Sequence, residues 1–160
     1  MADAPADGAA PATDGSVEPD DVDPALFARL AADPLATLLG IELEQVRPGY
    51  ARAAMTVAPG LLNAFGMAHG GATMALLDVV HAAVSNSHGT LAIAQDVHTE
   101  FLAAGQSGDR LVAEGVEVHR SNRTAVYRIE ATAQDGRLVA TALARVFRTG
   151  RPWDAVEAPA

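Results

Sequence analysis

The most unusual residue of this sequence is an acid in the middle of an apolar stretch. Asp78 stands between Leu77 and Val79, where apolar residues at helical spacing predict a long helix over 69–87. Aspartate has a low helix propensity and is costly to bury without a partner. Helical spacing places His81 on the same face. The carboxylate therefore faces water, pairs with His81 or takes part in catalysis, and taken alone it leaves these alternatives open.

The start of the same helix carries a second candidate. His69 is followed by Gly70 and Gly71, and two glycines let the backbone come close to a ligand. The first amides of a helix have no partner within it, and the helix dipole favours negative charge there. Such a turn can hold a phosphate or a developing oxyanion. The alternative is that the glycines only permit a sharp turn.

The spacing of the two candidates has a consequence for assembly. Asp78 lies nine residues beyond His69, which corresponds to about 13 Å along one helix. Two groups that far apart on the same helix cannot act on one atom. If both are functional, the site combines residues from two copies of the chain, and we expect at least a dimer.

Several common catalytic and metal sites are not predicted. The sequence has no cysteine, which excludes thiol catalysis and thiolate ligands, and no Gly-x-Ser-x-Gly segment of the kind found in serine hydrolases. It has no P-loop or dinucleotide-binding glycine pattern. His81 and His88 are a heptad apart, too far to bind one ion from a helix. We therefore expect no metal site and no cofactor.

Charge is unevenly distributed along the chain. The formal net charge is −9, but residues 1–23 hold seven acids and no base, and we expect this segment to be a disordered acidic tail. Eight of the 11 bases, all of them arginine, lie between Arg110 and Arg151 together with only four acids. Arginine suits phosphate oxygens, whereas a nucleic-acid surface would be more basic than this. The composition favours a small phosphorylated ligand and no nucleic acid.

Neither a secretory signal nor a membrane span is predicted. The N-terminus has no basic residue before its first, short apolar run. The longest apolar stretches are interrupted by Asp, His, Gly and Arg. We expect a cytoplasmic protein that does not bind a membrane.

The order of elements predicts an α+β fold. Asp-Pro pairs at 23–24 and 33–34 can each begin a short helix. Alternating apolar residues and turn residues predict two strands before the long helix and four after it. The predicted strands are 41–46, 50–57, 91–102, 110–120, 124–133 and 138–148. We expect an antiparallel sheet wrapped around one long central helix, in a domain of residues 24–149 followed by a C-terminal tail, 150–160.

Several segments resemble one family. The run from Asn63 to Gly71, followed by Leu76-Leu77-Asp78, is similar to the phenylacetic-acid-degradation (PaaI-type) branch of the hotdog-fold thioesterases. Shorter matches are found at 83–87, 100–102, 108–109 and 123–127. The likeness spans about residues 33–149. It implies the hotdog fold, dimers whose sheets join edge to edge, and tetramers built from these dimers.

The resemblance also implies roles for particular residues. Asp78 would activate water or attack the thioester carbonyl, and the Gly70 amide would polarise that carbonyl. Asn63 would position water or substrate, and His69 would shape its loop. The residues expected to contact the substrate or its CoA moiety are Gly71, Asn122, Arg123 and Thr124.

The sequence departs from the family pattern at two places. A glycine that is common before the basic residue of the CoA loop appears here as Ser121. His81 stands where an aromatic or small residue is common. The first change bears on the CoA contacts and the second on acyl specificity or on the acidity of Asp78.

The expected function is that of an acyl-CoA thioesterase. Its substrate would be an aryl-acetyl, hydroxylated aryl or medium-chain acyl-CoA, hydrolysed to the free acid and CoA by Asp78 as general base or nucleophile with the Gly70 amide as oxyanion donor. The protein would work as a homodimer or homotetramer with shared active sites. Two alternatives stay open: a hotdog hydratase or dehydratase using His69 with the partner's Asp78, and a non-catalytic sensor that binds acyl-CoA in the same pocket.

Overall fold

The computed structural model describes residues 21–156 of the chain. Most of the predicted acidic tail, 1–23, lies outside the described residues, as do residues 157–160. Between 21 and 156, three α-helices accompany six strands that join in one antiparallel sheet, so the α+β class is as predicted. None of the helices in this range is long and apolar enough to cross a membrane.

Two short helices precede the sheet, α1 over Pro24–Ala31 and α2 over Pro34–Leu39. Each begins at the Asp-Pro pair that predicts it. The carboxylates of Asp23 and Asp33 accept hydrogen bonds from backbone amides in the first turn of the helix that follows. Gly40 ends α2 in the left-handed conformation, with a φ of 67°, and leads the chain into the first strand.

The sheet has six strands in the order β1-β2-β4-β5-β6-β3. Their bounds are β1 Ile41–Arg47, β2 Tyr50–Thr56, β3 Thr90–Phe101, β4 Arg110–Arg120, β5 Thr124–Ala133 and β6 Leu138–Pro152. The Asp135-Gly136 pair, whose sequence predicts a hairpin turn, joins β5 to β6, and Gly136 has a φ of 83°. β1 and β3 form the two edges of the described sheet.

The long helix α3, Gly70–Asn86, packs against the sheet and contacts all six strands. Leu76, Leu77 and Val80 on its inner side are fully buried. The helix lies close to β4 at Gly115, where an added Cβ would lie 2.7 Å from Cγ1 of Val80. A larger residue at position 115 would push the helix outward. The sheet therefore wraps closely around one central helix, as predicted.

The last strand extends beyond its predicted end. The sequence places that end at Arg148, because Gly150 and Pro152 tend to interrupt strands. In the structure β6 continues to Pro152, which pairs with Thr90 of β3. The Thr149 hydroxyl also donates a hydrogen bond of 2.9 Å to a β3 carbonyl. The neighbouring strand thus sustains pairing where the local sequence disfavours it.

The packed part of the chain is wider than the predicted domain of 24–149. Val22 is buried before α1 begins. Trp153 packs against the core after β6 ends. Short stretches of both predicted tails, at Val22 and at Trp153, therefore pack against the core.

Candidate active site

His69 caps α3. Its Nδ1 accepts a hydrogen bond of 2.9 Å from the Gly71 amide. Nδ1 therefore carries the lone pair, which leaves the ring hydrogen of the neutral imidazole on Nε2. The His69 amide donates to the carbonyl of Leu61 over 2.8 Å. These bonds tie the preceding loop to the first turn of the helix.

Gly70 is the first residue of α3, and its backbone N–H makes no hydrogen bond to another described residue. The helix dipole adds partial positive charge at this position. The ring of Phe101 lies against Gly70, since an added Cβ would be 3.5 Å from the ring atom Cζ. A carbonyl oxygen that reaches this turn can therefore accept the amide hydrogen.

Asn63 organises the loop before α3. Its Oδ1 accepts hydrogen bonds from the amides of Phe65 and Met67, at 2.8 and 3.2 Å. The backbone N–H of Asn63 donates a hydrogen bond of 2.7 Å to the Met67 carbonyl. The Oδ1 atom is thus engaged within the loop, and the Nδ2 group is the part of the side chain that can reach a water molecule or a substrate.

A cavity of about 320 Å³ opens beside this turn. Asn63 and Gly70 both line it, together with Thr73, Phe101 and the loop 102–105. Neither Asp78 nor the 121–124 turn borders this cavity. One chain thus brings the predicted oxyanion donor and Asn63 together, but it does not bring the carboxylate to them.

A buried acid supports the loop that borders the cavity. Asp109 is 8% exposed and accepts hydrogen bonds from the Gln106 amide, the Gln134 side chain and the Arg137 guanidinium, at 2.8, 3.1 and 3.0 Å. The bond from the Gln106 amide, helped by Arg137 and Gln134, holds the pKa of Asp109 below its usual value. The carboxylate therefore stays charged and keeps all three donors in place.

The same loop touches the residue before His69. The Gly105 carbonyl accepts a hydrogen bond of 2.9 Å from the Ala68 amide. An added Cβ at Gly105 would lie 3.0 Å from Cβ of Ala68, so the two backbones need glycine to come this close. Arg137 also donates to the Ala104 carbonyl. The Asp109 cluster thus sets the position of the chain that leads into α3.

Asp78 lies in the middle of α3 on its open side. Its side chain is 58% exposed, although most of the helix is buried. The nearest ionisable side chain is that of His81, whose Nδ1 lies 4.0 Å from the Asp78 Oδ1. This distance is too long for a hydrogen bond. The carboxylate is therefore accessible to a substrate or to a second protein surface.

His81 is buried between Asp78 and the sheet. Its side chain is 1% exposed, and the Tyr127 ring packs against it with the ring centroids 5.8 Å apart. Burial lowers the pKa of His81, because the charged ring would lose its hydration, while the Asp78 carboxylate acts in the opposite direction. His81 is thus neutral near pH 7.

The turn 121–124, expected to contact CoA, lies at the opposite end of the sheet from Gly70. β4 leads to it from the loop beside Gly70 and has 11 residues, which corresponds to about 36 Å. Asn122 and Arg123 are exposed there. The Arg123 carbonyl accepts a hydrogen bond of 2.8 Å from the Arg148 amide, which fixes the turn against β6. Within one chain, this turn and Gly70 are far apart.

Comparison with known proteins identifies the family. The family model of the thioesterase superfamily matches residues 65–140. The acyl-coenzyme A thioesterase PaaI of Escherichia coli strain K12 is 35% identical over 118 residues, which cover 74% of this chain and 84% of the relative. This chain belongs to the thioesterase superfamily. The thioesterase motif segments noted in its sequence fall mainly within the matched region.

Solved structures share the fold of this thioesterase. E. coli PaaI, from the phenylacetic acid degradation operon, has a TM-score of 0.76 at 33% identity, covering 79% of this chain and 91% of that one. A variant of PaaI from Thermus thermophilus has a TM-score of 0.70 at 38% identity, covering 72% and 99%. A hypothetical thioesterase of Streptococcus pneumoniae, solved with coenzyme A, has a TM-score of 0.67 at 32% identity, covering 70% and 88%. The predicted hotdog fold and PaaI type are confirmed, and the protein is a thioester hydrolase.

The sequence predicts no role for some residues around the site of this thioesterase. The buried Asp109 cluster joins residues that are far apart along the chain. Tyr127 packs against His81; the sequence places it in the 123–127 match to the family but assigns it no role. Between residues 21 and 156, no three histidine or acidic side chains come close enough to hold a metal ion.

Proposed function

We propose that this thioesterase hydrolyses an aryl-acetyl, hydroxylated aryl or medium-chain acyl-CoA to the free acid and CoA. The observation that carries the proposal is the Gly70 amide, which begins α3 beside a cavity and has no acceptor among the described residues. Relatives support it: E. coli PaaI is named as an acyl-coenzyme A thioesterase, and the S. pneumoniae structure holds coenzyme A.

In the proposed reaction the thioester carbonyl oxygen accepts the Gly70 amide hydrogen. This bond stabilises the negative charge that develops on the oxygen when the carbonyl carbon is attacked. Asp78 either takes a proton from the attacking water or attacks the carbon itself, after which water releases the acid. In both cases the carbon–sulfur bond breaks, and CoA leaves as a thiolate that is then protonated. The Nδ2 group of Asn63 lies beside the same cavity and can position the water or the substrate.

A second copy of the chain would complete this site. Asp78 lies about 13 Å along α3 from His69, so the carboxylate that acts beside Gly70 must come from the partner. β3 is an edge strand, and its residues Ile93 and Phe101 are each 55% exposed. Large apolar side chains on an unpaired edge favour pairing with another strand. We propose that β3 pairs with β3 of a second copy about a two-fold axis.

Antiparallel pairing of the two β3 strands would also supply the CoA turn. It would set the Phe101 end of one strand, beside Gly70, next to the Thr90 end of the other. The 121–124 turn lies toward the Thr90 end, because Thr124 pairs with Phe147 and Phe147 pairs with Ile93. The partner's turn would then approach the Gly70 end of the first chain. Its arginine suits the phosphates of CoA.

A panel of acyl-CoA thioesters with detection of free thiol tests the proposed function. We expect thiol release from at least one of the three acyl classes. Binding of acyl-CoA without thiol release would indicate the sensor, and gain or loss of a double bond without thiol release would indicate the hydratase or dehydratase. Assembly of dimers into tetramers, a cytoplasmic location and the roles of the individual site residues stay predictions.

A further inference from the structure

A buried histidine without a full set of partners lies directly behind Asp78. Nδ1 of His81 is 4.0 Å from the Asp78 carboxylate, and the tilted ring of Tyr127 packs against the His81 ring. The His81 Nε2 and the Tyr127 hydroxyl are both buried with no hydrogen-bond partner among the described residues. Buried polar atoms are normally paired. An apolar ring would fill this place at lower cost, so packing alone does not account for His81.

The neutral ring can place its single hydrogen on either nitrogen. On Nε2, the hydrogen would be a buried donor without an acceptor, and the Nδ1 lone pair would face the negative Asp78 carboxylate. On Nδ1, the hydrogen points toward the carboxylate and leaves only an acceptor unpaired. The second tautomer is lower in free energy. His81 therefore presents an N–H donor to Asp78.

We propose that His81 is a positioning residue for Asp78, donating its Nδ1 hydrogen to the carboxylate and aiming the second oxygen at water or at the thioester carbon. The inference rests on the proposed function. The Asp78 side chain is 58% exposed, so it has room to rotate and shorten its 4.0 Å distance to His81 Nδ1 to that of a hydrogen bond. Catalytic hydrogen bonds are often long in the free enzyme and close when substrate binds.

Burial keeps both His81 and the neighbouring Tyr127 in their neutral forms near pH 7. Tyr127 on β5 is the other titratable group in contact with His81, and burial raises its pKa to about 12. The charged groups that act on the Tyr127 hydroxyl are Glu117, Arg120 and Arg148. The Nδ1–H group of a neutral His81 is a dipole that can orient the Asp78 carboxylate. A protonated ring would instead hold the carboxylate in an ion pair and reduce its basicity.

Two substitutions separate this role from a structural one. His81→Phe keeps a ring of similar size and removes the unpaired nitrogen, so we expect an unchanged or higher Tm but a kcat about 10- to 50-fold lower with little change in KM. His81→Asn keeps an N–H donor near the place of Nδ1 but leaves a void, so we expect a lower Tm with turnover within about threefold of wild type. A purely structural histidine would give the reverse order, with turnover following stability.

Two further readouts show whether His81 acts through Asp78. Adding His81→Phe to Asp78→Asn should cause no further loss of kcat, because the two residues form one unit. In His81→Phe the acid limb of the kcat profile, which reports the enzyme–substrate complex in which this bond closes, should move to higher pH by about half to one unit, since the carboxylate loses a donor that favours its charged form. Tyr127→Phe removes the neighbouring unpaired hydroxyl while leaving His81 in place, and it should change neither kcat nor the acid limb.

The outcomes distinguish the inference from the function on which it rests. A stable His81→Phe enzyme with wild-type kcat and an unshifted acid limb would overturn the role of His81 and leave the proposed function in place. A wild-type protein without thioester hydrolysis, or an Asp78→Asn variant of normal activity, would overturn both. Low turnover of a stable His81→Phe with high turnover of a less stable His81→Asn would establish the positioning role.

Discussion

Asp78 is an acid whose charge is not used to stabilise its own chain. Its carboxylate accepts no hydrogen bond from the described residues, and its side chain is 58% exposed in the middle of a mostly buried helix. Aspartate lowers the stability of a helix interior compared with alanine. A residue that is unfavourable for its own helix and open to a ligand is more readily explained by function than by packing.

The Asp78→Asn variant tests this residue alone. The change keeps the size of the side chain but removes its charge and basicity, so kcat should fall by roughly two to four orders of magnitude. Acyl-CoA affinity should persist or rise slightly, because a negative charge near the thioester is gone. The measurements are kcat, acyl-CoA Kd and Tm. A drop in Tm with turnover retained would indicate that Asp78 serves only as a partner of His81.

Gly70 allows a similar test of the oxyanion donor. Gly70→Pro removes the amide hydrogen while preserving the helix start, because proline is favoured at the first helical position and His69 before it has extended backbone, with ψ of 132°. We expect kcat to fall by about two to three orders of magnitude. Gly70→Ala is the matched control: it keeps the amide, and its Cβ meets Phe101 at an ordinary contact distance of 3.5 Å. Equal activity of the two variants would show that a donor other than the Gly70 amide stabilises the oxyanion.

At the scale of the elements, local chemistry explains what could be predicted from the sequence. The helix caps Asp23 and Asp33 and the turn at Gly136 depend on neighbouring residues, and the structure shows them where the sequence predicts them. The end of β6 depends instead on its pairing with Thr90, and the ring against Gly70 comes from another element. Contacts between distant residues leave no local signal, so the walls of the cavity could not be predicted.

The loop held by Asp109 should make stability depend on pH. Because the folded-state pKa of Asp109 is lowered, its charged form stabilises the fold above the ordinary value near 3.9, and this contribution is lost as the pH falls through the lowered pKa. Asp109→Asn should therefore lower Tm at neutral pH and flatten the fall of Tm between about pH 5 and pH 2. Thermal melts over a pH series measure both effects.

Asp135→Asn is the matched control for this loop. Asp135 also contacts Arg137, at 3.3 Å, but its side chain is 58% exposed, so solvent weakens the interaction. We expect a smaller change in Tm than for Asp109→Asn. Superimposable pH profiles for wild type and Asp109→Asn would show that Asp109 does not stabilise the loop.

The β4–β5 turn is expected to act on binding more than on chemistry. Arg123→Ala should raise KM for acyl-CoA about 5- to 20-fold and change kcat by less, because a phosphate contact is made equally in the ground and transition states. Arg128→Ala is the control, since Arg128 lies on β5, the strand that follows this turn, with 60% exposure beside Glu130. A KM unchanged by Arg123→Ala would indicate that the nucleotide part of CoA binds elsewhere, at Arg120 or Arg148.

At the scale of the whole molecule, the spacing of His69 and Asp78 and the free edge of β3 lead to the same assembly. The spacing is a property of one helix and could be taken directly from the sequence. The edge depends on the strand order, which places β3 beside β6 at the end of the sheet. The sequence therefore predicts that a second copy is needed if both ends of the helix act at one site, and the strand order indicates where that copy would pair. The acyl group could not be predicted, because the cavity walls come from several separate segments.

The central claim is that each site joins Gly70 of one chain to the partner's Asp78, and mixed assemblies test it directly. Asp78→Asn and Gly70→Pro chains, each nearly inactive alone, would be coexpressed with different affinity tags, and dimers carrying both tags would be isolated. One of the two sites in such a dimer has both residues intact, so thiol release should recover to about half of the wild-type rate. If each site lay within a single chain, every site would carry a defect. Mixed dimers no more active than the parent variants would contradict the shared site.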